Sequence, residues 1–179
     1  LEKIRVDPFP LEVAKNLVME LFKSENFDVG DDVVNQVLKE VEIFVPFFLQ
    51  LLVSEVSKMA KFNRIKIDPS LVSKAYKDAL ISVESRTYFE SFYSRLKDYY
   101  EPDEERATKE MLKHLALKGR LTIRELRNIS LSVVNNLSDD DFSHLLGDLE
   151  NDFYLKREDD SYIFHTKVLR DWWIRFYAF

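Results

Sequence analysis

Phe153-Tyr154-Leu155-Lys156-Arg157 and Ser161-Tyr162-Ile163-Phe164-His165 flank the acidic turn Glu158-Asp159-Asp160 near the end of this 179-residue chain. Aromatic and β-branched residues on both sides of a short polar turn predict a β-hairpin. Three helical patterns precede the hairpin between residues 102 and 152, and one helical pattern follows it. Three helices and then a hairpin predict a winged helix-turn-helix domain.

Local signals mark the ends of these helices. Pro102 ends the segment before them, and Gly119 ends the first helix. The pattern Thr122-Ile123-Arg124-Glu125 predicts a capping box at the start of the second helix. Ser138-Asp139-Asp140-Asp141 predicts the start of the third helix. Residues 129–137 contain no decisive pattern, so the sequence leaves them unassigned.

The first 83 residues predict a helical bundle. Pro10 and Pro46 fit the first turns of helices, since proline needs no hydrogen-bond partner there. Asp31 and Asp32 are expected to cap a second helix. Asp68-Pro69 is expected to start a fourth, which continues to Val83. We predict that residues 58–66, which are polar and basic, form the connection before it.

Aromatic residues recur at helical spacing between residues 84 and 101, and they predict a connector helix between the two halves. The complete prediction is a mainly α protein: a helical lid-like bundle (1–83), the aromatic connector (84–101) and a winged-helix domain (102–179) with a small β-hairpin. The chain starts at Leu1, and Ile4-Arg5-Val6 alternates like the tail of a strand. Both features favour a fragment of a longer protein.

The composition excludes several kinds of chemistry. There is no cysteine and only three glycines, and no glycine precedes a lysine, so the sequence contains no P-loop. His114, His144 and His165 are scattered and lack metal-ligand spacing. The longest apolar run, residues 43–53, is about half of the ~20 residues that a membrane span needs. We therefore expect a cytoplasmic protein with no catalytic residues, no metal and no membrane contact.

Two stretches carry a family resemblance. Val45-Pro46-Phe47-Phe48-Leu49-Gln50-Leu51-Leu52 resembles the start of the lid helix in the prokaryotic (archaeal-type) STAND/AAA+ ATPases. Phe164-His165-Thr166-Lys167-Val168-Leu169-Arg170-Asp171-Trp172-Trp173 is similar to the end of the winged helix in the same family. The resemblance covers nearly the whole chain.

The resemblance implies a non-catalytic C-terminal region that regulates an upstream ATPase core. The parent protein would bind ATP or ADP, while this chain would bind no cofactor of its own. Pro46 matches the lid proline that contacts the bound nucleotide in this family, so the resemblance implies a nucleotide contact at Pro46 in the intact parent only. Phe44 stands where the family has glycine, and Phe47 stands where related initiator ATPases have the sensor 2 arginine. Any contact between the lid and the nucleotide would therefore be apolar.

A free-standing DNA-binding regulator is the alternative. A DNA-binding winged helix inserts its third helix into the major groove. Here that helix and its flanks, residues 138–152, contain six acidic residues and no lysine or arginine. Docking this helix on a duplex would set carboxylates against phosphates, so we expect the winged helix to contact another protein or to pack against its own upstream ATPase core, and not to bind DNA. The residues available for nucleic-acid contact are Arg120, Arg124, Arg127, Lys156 and Arg157.

A third interpretation is a purely structural interaction module. Its partner surface, or its surface for self-association, would be the aromatic residues of segments 88–100 and 172–179. The same rings also fit a simpler expectation, a core between the two halves of the chain.

Overall fold

The computed structural model describes residues 8–81, 86–135 and 137–178, without the side chain of Tyr88. The extended segment predicted at residues 4–6, Val83 of the predicted fourth helix and Phe179 lie outside these residues. The chain divides into two compact units, the first up to residue 85 and the second from residue 86.

The first unit is a helical bundle. Its elements are α1 (Leu11–Ser24), α2 (Asp31–Val41), α3 (Pro46–Asn63) and α4 (Pro69–Ala75), which continues as a π-helical segment (Tyr76–Leu80). Helix α3 packs against α1, α2, α4 and the π-helical segment. Leu49, Leu52 and Val56 on α3 are fully buried. The centre of this core is therefore the helix whose sequence is apolar on nearly every side at its start.

The helix starts of the first unit only partly follow the prediction. Asp68 caps α4 through its Oδ1, which accepts the Leu71 N–H at 2.8 Å, and Pro69 occupies the first turn. The N-cap of α2 is Gly30, so the prediction that Asp31 and Asp32 cap it is wrong. Both aspartates lie in the first turn, where the helix dipole favours negative charge.

The predicted connection at residues 58–66 is too long. Helix α3 continues to Asn63, and Arg64 ends it in the left-handed conformation with φ 55° and ψ 43°. Ala60 within this last part is buried, so one side of the helix is still needed by the core. Lysine, methionine and alanine are good helix formers, and their propensity extends the helix despite its basic surface.

The second unit combines helices with a small antiparallel sheet. Its elements are α5 (Arg86–Tyr99), α6 (Pro102–Lys118), β1 (Leu121–Thr122), α7 (Ile123–Val133), α8 (Asp139–Asn151), β2 (Leu155–Glu158), β3 (Ser161–Phe164) and α9 (Lys167–Tyr177). The predicted hairpin is β2–β3, with Leu155 opposite Phe164. The sheet order is β1-β3-β2, because Leu121 pairs with Tyr162. The predicted fold class is confirmed, and β1 is a strand that the prediction lacked.

The caps of the second unit follow the sequence signals. Thr122 and Glu125 form the predicted capping box at the start of α7. Ser138 caps α8. Gly119 ends α6 with φ 81°, a conformation that glycine adopts without strain. In the unassigned stretch, α7 continues to Val133 and Val134 is extended.

Aromatic rings fill the core of the second unit. Trp172 and Trp173 of α9 are fully buried, and the Phe89 ring of α5 lies 5.5 Å from that of Trp172. Tyr93 of α5 stacks on Tyr177 of α9 at 3.7 Å between ring centroids. Helix α5, which we expected to connect the two halves, therefore packs with α9 inside the second unit. The rings of Phe89, Trp172 and Trp173 cannot form the partner surface of the third interpretation.

Candidate functional site

A groove of about 620 Å³ opens between the first turns of α7, one face of α8 and the turn of the hairpin. Arg124, Arg127 and Arg157 line it together with Asp139 and Asp160. Arg124 and Arg127 are three residues apart on α7 and therefore project from the same side of that helix. Arg157 reaches the groove from β2. The fold thus brings together three of the five basic residues that the sequence analysis selected.

Arg127 is held in place by its neighbours. One of its terminal nitrogens, Nη2, donates to the Leu137 carbonyl at 2.8 Å and lies 2.7 Å from the Asp139 carboxylate. The guanidinium carbon lies 5.1 Å from the centroid of the Phe142 ring, in cation–π geometry. The other nitrogen, Nη1, is buried and has no hydrogen-bond partner among the described residues. One donor of a fixed guanidinium is therefore unused.

The other two arginines are exposed. Arg124 makes no hydrogen bond or ion pair with any described residue, so its charge is not neutralised locally. Arg157 donates from Nε to the Asp159 carbonyl at 3.0 Å, and it forms no ion pair with the described residues. Two positive charges at the groove are therefore available to an anionic ligand.

Arg120 and Lys156 lie outside the groove lining. Both pair with Glu158: Arg120 in a direct ion pair and Lys156 at 3.5 Å between Nζ and the carboxylate. A shared carboxylate weakens the field of both cations toward solvent. Arg120 and Lys156 therefore differ from Arg124, which has no such partner.

The rest of the groove lining is largely apolar. Ile123 begins α7, Phe142 and Leu146 lie one turn apart on α8, and Tyr162 lies on β3. Burial raises the pKa of Tyr162, and Glu150 adds to this, while Arg157 acts in the opposite direction. The tyrosine hydroxyl therefore stays neutral at physiological pH and can act as a hydrogen-bond donor. The groove offers cations next to an apolar surface.

This apolar lining and the Asp160 carboxylate were not predicted from the sequence. The register of the hairpin is the signal that could have revealed it. Arg157 and Tyr162 face each other across β2 and β3, and β1 pairs Leu121 with Tyr162. This pairing places the start of α7 beside the hairpin turn. The Ile123 N–H also donates to the Asp160 carbonyl at 3.0 Å.

The outer face of α8 is acidic. Asp140, Asp148 and Glu150 are exposed on it, as are Asp139 and Asp141 in its first turn. No lysine or arginine lies within α8 to offset them. If α8 entered a major groove, this face would meet phosphates with carboxylates.

Pro46, the predicted nucleotide contact of the parent protein, lies in the first turn of α3. Phe47 beside it is 43% exposed. The preceding residues form two tight turns, because the Ile43 N–H donates to the Val41 carbonyl and the Val45 N–H donates to the Ile43 carbonyl, both at 2.8 Å. Glu42, at the centre of the first turn, has φ 62° and ψ −49°. The backbone before Pro46 is thus strained.

Two of the three histidines contact neighbouring side chains in the second unit. His114 lies 3.3 Å from the Glu110 carboxylate on α6, and the His165 ring packs edge-on against Phe153. Across residues 8–81, 86–135 and 137–178, no group of three or more histidine, aspartate or glutamate side chains could hold a metal ion. None of the described helices is both long and apolar enough to pass through a membrane.

Comparison with known proteins gives a fold likeness. No protein-family model and no curated protein matches the sequence. Among solved structures, the chain is similar to the Walker-type ATPase PABY2304 of Pyrococcus abyssi, with 14% sequence identity and a TM-score of 0.62. The similarity covers 92% of this chain and 42% of that chain. At this identity the comparison shows that the two share a fold, and this chain spans less than half of the ATPase.

Proposed function

We propose that this chain is a non-catalytic, regulatory region of a larger P-loop ATPase. The first unit would be the lid over the nucleotide, and the second unit would be a winged helix. The observation that supports this most is the fold likeness, because it extends over 92% of this chain but only 42% of a Walker-type ATPase. A complete ATPase would need the phosphate-binding loop that this sequence lacks.

Pro46 is the residue of the lid that would contact nucleotide in the parent protein. It begins the buried central helix of the first unit, so its position is fixed by the core. The exposed Phe47 next to it would offer an aromatic surface for the nucleotide base. Closure of the core on this lid would carry the nucleotide state to the second unit.

A hydrolysis assay tests the non-catalytic part of the proposal. We expect the purified chain to release no phosphate from ATP above the blank, and the parent protein to hydrolyse it. Turnover by the chain alone would contradict the proposal. A parent reading frame with no Walker A motif upstream of Leu1 would also contradict it.

Pro46→Ala in the parent protein tests the lid assignment, with Pro69→Ala as the matched control. Both prolines occupy the first turn of a helix in the same unit, so the loss of backbone rigidity is similar. We expect Pro46→Ala to weaken ATP binding by roughly threefold to tenfold, the range for one lost apolar contact. Pro69→Ala should bind ATP like the wild type. An equal loss of ATP binding in Pro46→Ala and Pro69→Ala would contradict the lid assignment.

A further inference from the structure

We infer that the groove between α7, α8 and the hairpin turn binds a segment of a partner protein that carries a carboxylate next to an apolar side chain. The inference concerns the second unit alone and does not rest on the proposed ATPase. The described residues leave the Arg124 charge and the buried Nη1 of Arg127 without partners. A ligand carboxylate can pair with Arg124 through charge-assisted hydrogen bonds, and Arg157 offers a second cation that forms no ion pair with the described residues.

The spacing of the arginines suits an extended acidic segment. The Cβ atoms of residues three apart on a helix are about 5–6 Å from each other. Alternate residues of an extended chain project to the same side about 6.6 Å apart. One acidic residue could therefore pair with Arg124 while the alternate residue lies beside Arg127, whose charge Asp139 already neutralises. A second carboxylate could meet Arg157 from the hairpin side.

The apolar lining argues for a peptide with aliphatic or aromatic side chains. Ile123, Phe142, Leu146 and Tyr162 line the groove among the arginines, and the volume of about 620 Å³ is that of a pocket for a few side chains. A site that offers cations beside an apolar surface selects a ligand with both properties. A peptide offers them, whereas a phosphate backbone offers charge alone.

The carboxylates around the groove oppose duplex DNA. Asp139 and Asp160 lie in the groove lining, and Asp140, Asp148 and Glu150 are exposed on α8. A continuous row of phosphates would come close to these groups, and like charges raise the free energy of such a complex. A short segment can instead place its few carboxylates on the arginines and its backbone N–H groups near the aspartates.

Selection from a displayed library of random heptapeptides tests the inference on the full chain. We expect the enriched peptides to contain aspartate or glutamate next to an aromatic or aliphatic residue. A dye-labelled enriched peptide should bind about tenfold or more weakly to Arg124→Glu by fluorescence anisotropy, because the substitution reverses one charge in the site. Ile123→Ala should weaken binding severalfold through the apolar surface.

Arg120→Glu is the matched control. It makes the same charge change three residues before the start of α7, but at a side chain that lies outside the groove. We expect the labelled peptide to bind Arg120→Glu within about twofold of wild type. Arg124→Glu should also melt at the wild-type temperature, since Arg124 has no partner among the described residues and an acid is favoured in the first turn of a helix.

A labelled 20-base-pair duplex, titrated at two salt concentrations, completes the experiment. The inference predicts no duplex binding at either concentration. The inference is overturned if the wild-type chain enriches no peptide beyond what Arg124→Glu enriches, or if the enriched peptides lack acidic residues. It is also overturned if Arg124→Glu and Arg120→Glu lose the same amount of affinity for the labelled peptide. Duplex binding that falls steeply with salt and is abolished by Arg124→Glu would also overturn it in favour of DNA.

Discussion

Tyr154 connects the start of the hairpin to α5 in the second unit. Its hydroxyl donates to the Phe92 carbonyl, and its ring meets the Phe92 ring edge-on at 5.8 Å. The residue is 1% exposed. This burial raises the pKa of Tyr154 to about 12. One side chain thus combines a buried hydrogen bond with a buried ionisable group.

Tyr154→Phe should lower the free energy of unfolding by about 1 kcal/mol, the usual net value of one buried hydrogen bond. Urea denaturation monitored by circular dichroism measures this value. Tyr99→Phe is the control, because Tyr99 is 68% exposed on the same helix as Phe92 and should change little. Equal stability of Tyr154→Phe and wild type would mean that the hydrogen bond contributes nothing.

The same variant predicts a change in pH dependence. The folded-state pKa of Tyr154 is raised above its ordinary value of 10.0, so the unfolded state loses this proton first as pH rises. The stability associated with Tyr154 is present below pH 10 and is lost as the pH rises from about 10 to about 12. Tyr154→Phe should therefore lose less stability than wild type over this interval.

Glu42 holds a backbone conformation that suits glycine better. Its φ of 62° lies in the region that most side chains avoid. Glu42→Gly should raise the free energy of unfolding by ~1 kcal/mol, since relief of about 1–3 kcal/mol of strain exceeds the entropy cost of glycine. Gln50→Gly, at an exposed position within α3, should lower it by ~0.5–1 kcal/mol. Urea denaturation measures both changes in the free energy of unfolding, which we expect to have opposite signs. A lower free energy of unfolding in both variants would show that Glu42 is unstrained.

At the scale of elements, the capping box fixes where α7 begins. Thr122 Oγ1 accepts the Glu125 N–H at 3.2 Å, and Glu125 accepts the Thr122 N–H at 2.8 Å. The Thr122 N–H and the Thr122 hydroxyl both donate to the Glu125 carboxylate, and these two hydrogen bonds hold the pKa of Glu125 below its usual value of 4.5. The associated stability is present above pH 4.5 and is lost as the pH falls through the folded-state pKa.

Thr122→Ala should destabilise the protein by about 1 kcal/mol, the typical value of a helix cap. The reason is that the Glu125 N–H loses its acceptor, Thr122 Oγ1, and the Glu125 carboxylate loses the Thr122 hydroxyl as a donor. Thermal denaturation followed by circular dichroism should give a lower melting temperature. Ser132→Ala is the control, since Ser132 is exposed and bonds only to the Ile129 carbonyl of its own helix. If Thr122→Ala and Ser132→Ala have the same melting temperature, the cap does not determine stability.

Elements with strong local signals could be predicted from the sequence. The hairpin and the starts of α4, α7 and α8 each depend on residues within a few positions. Strand β1 could not be predicted, since two residues become a strand only by pairing with Tyr162 and Ser161 far along the chain. The left-handed turn of the α2–α3 connection was also missed, because glutamate gives no signal for positive φ.

At the scale of the whole molecule, the site was less predictable than the fold. The basic residues were identifiable one at a time, but the sequence does not show which of them share a surface. Arg157 joins Arg124 only through the pairing of β2 with β3 and of β3 with β1. The apolar lining was equally hidden, since Phe142 and Leu146 on α8 fit a core pattern and also line the groove.

Both tryptophans of the chain are adjacent residues of α9 in the fully buried core of the second unit. Emission from indole shifts to longer wavelength when the ring enters water, so intrinsic fluorescence monitors the second unit alone. Far-UV ellipticity sums the helices of both units. Recording the two signals on one sample therefore assigns the melting of any variant to one half of the chain, with no dye and no truncation.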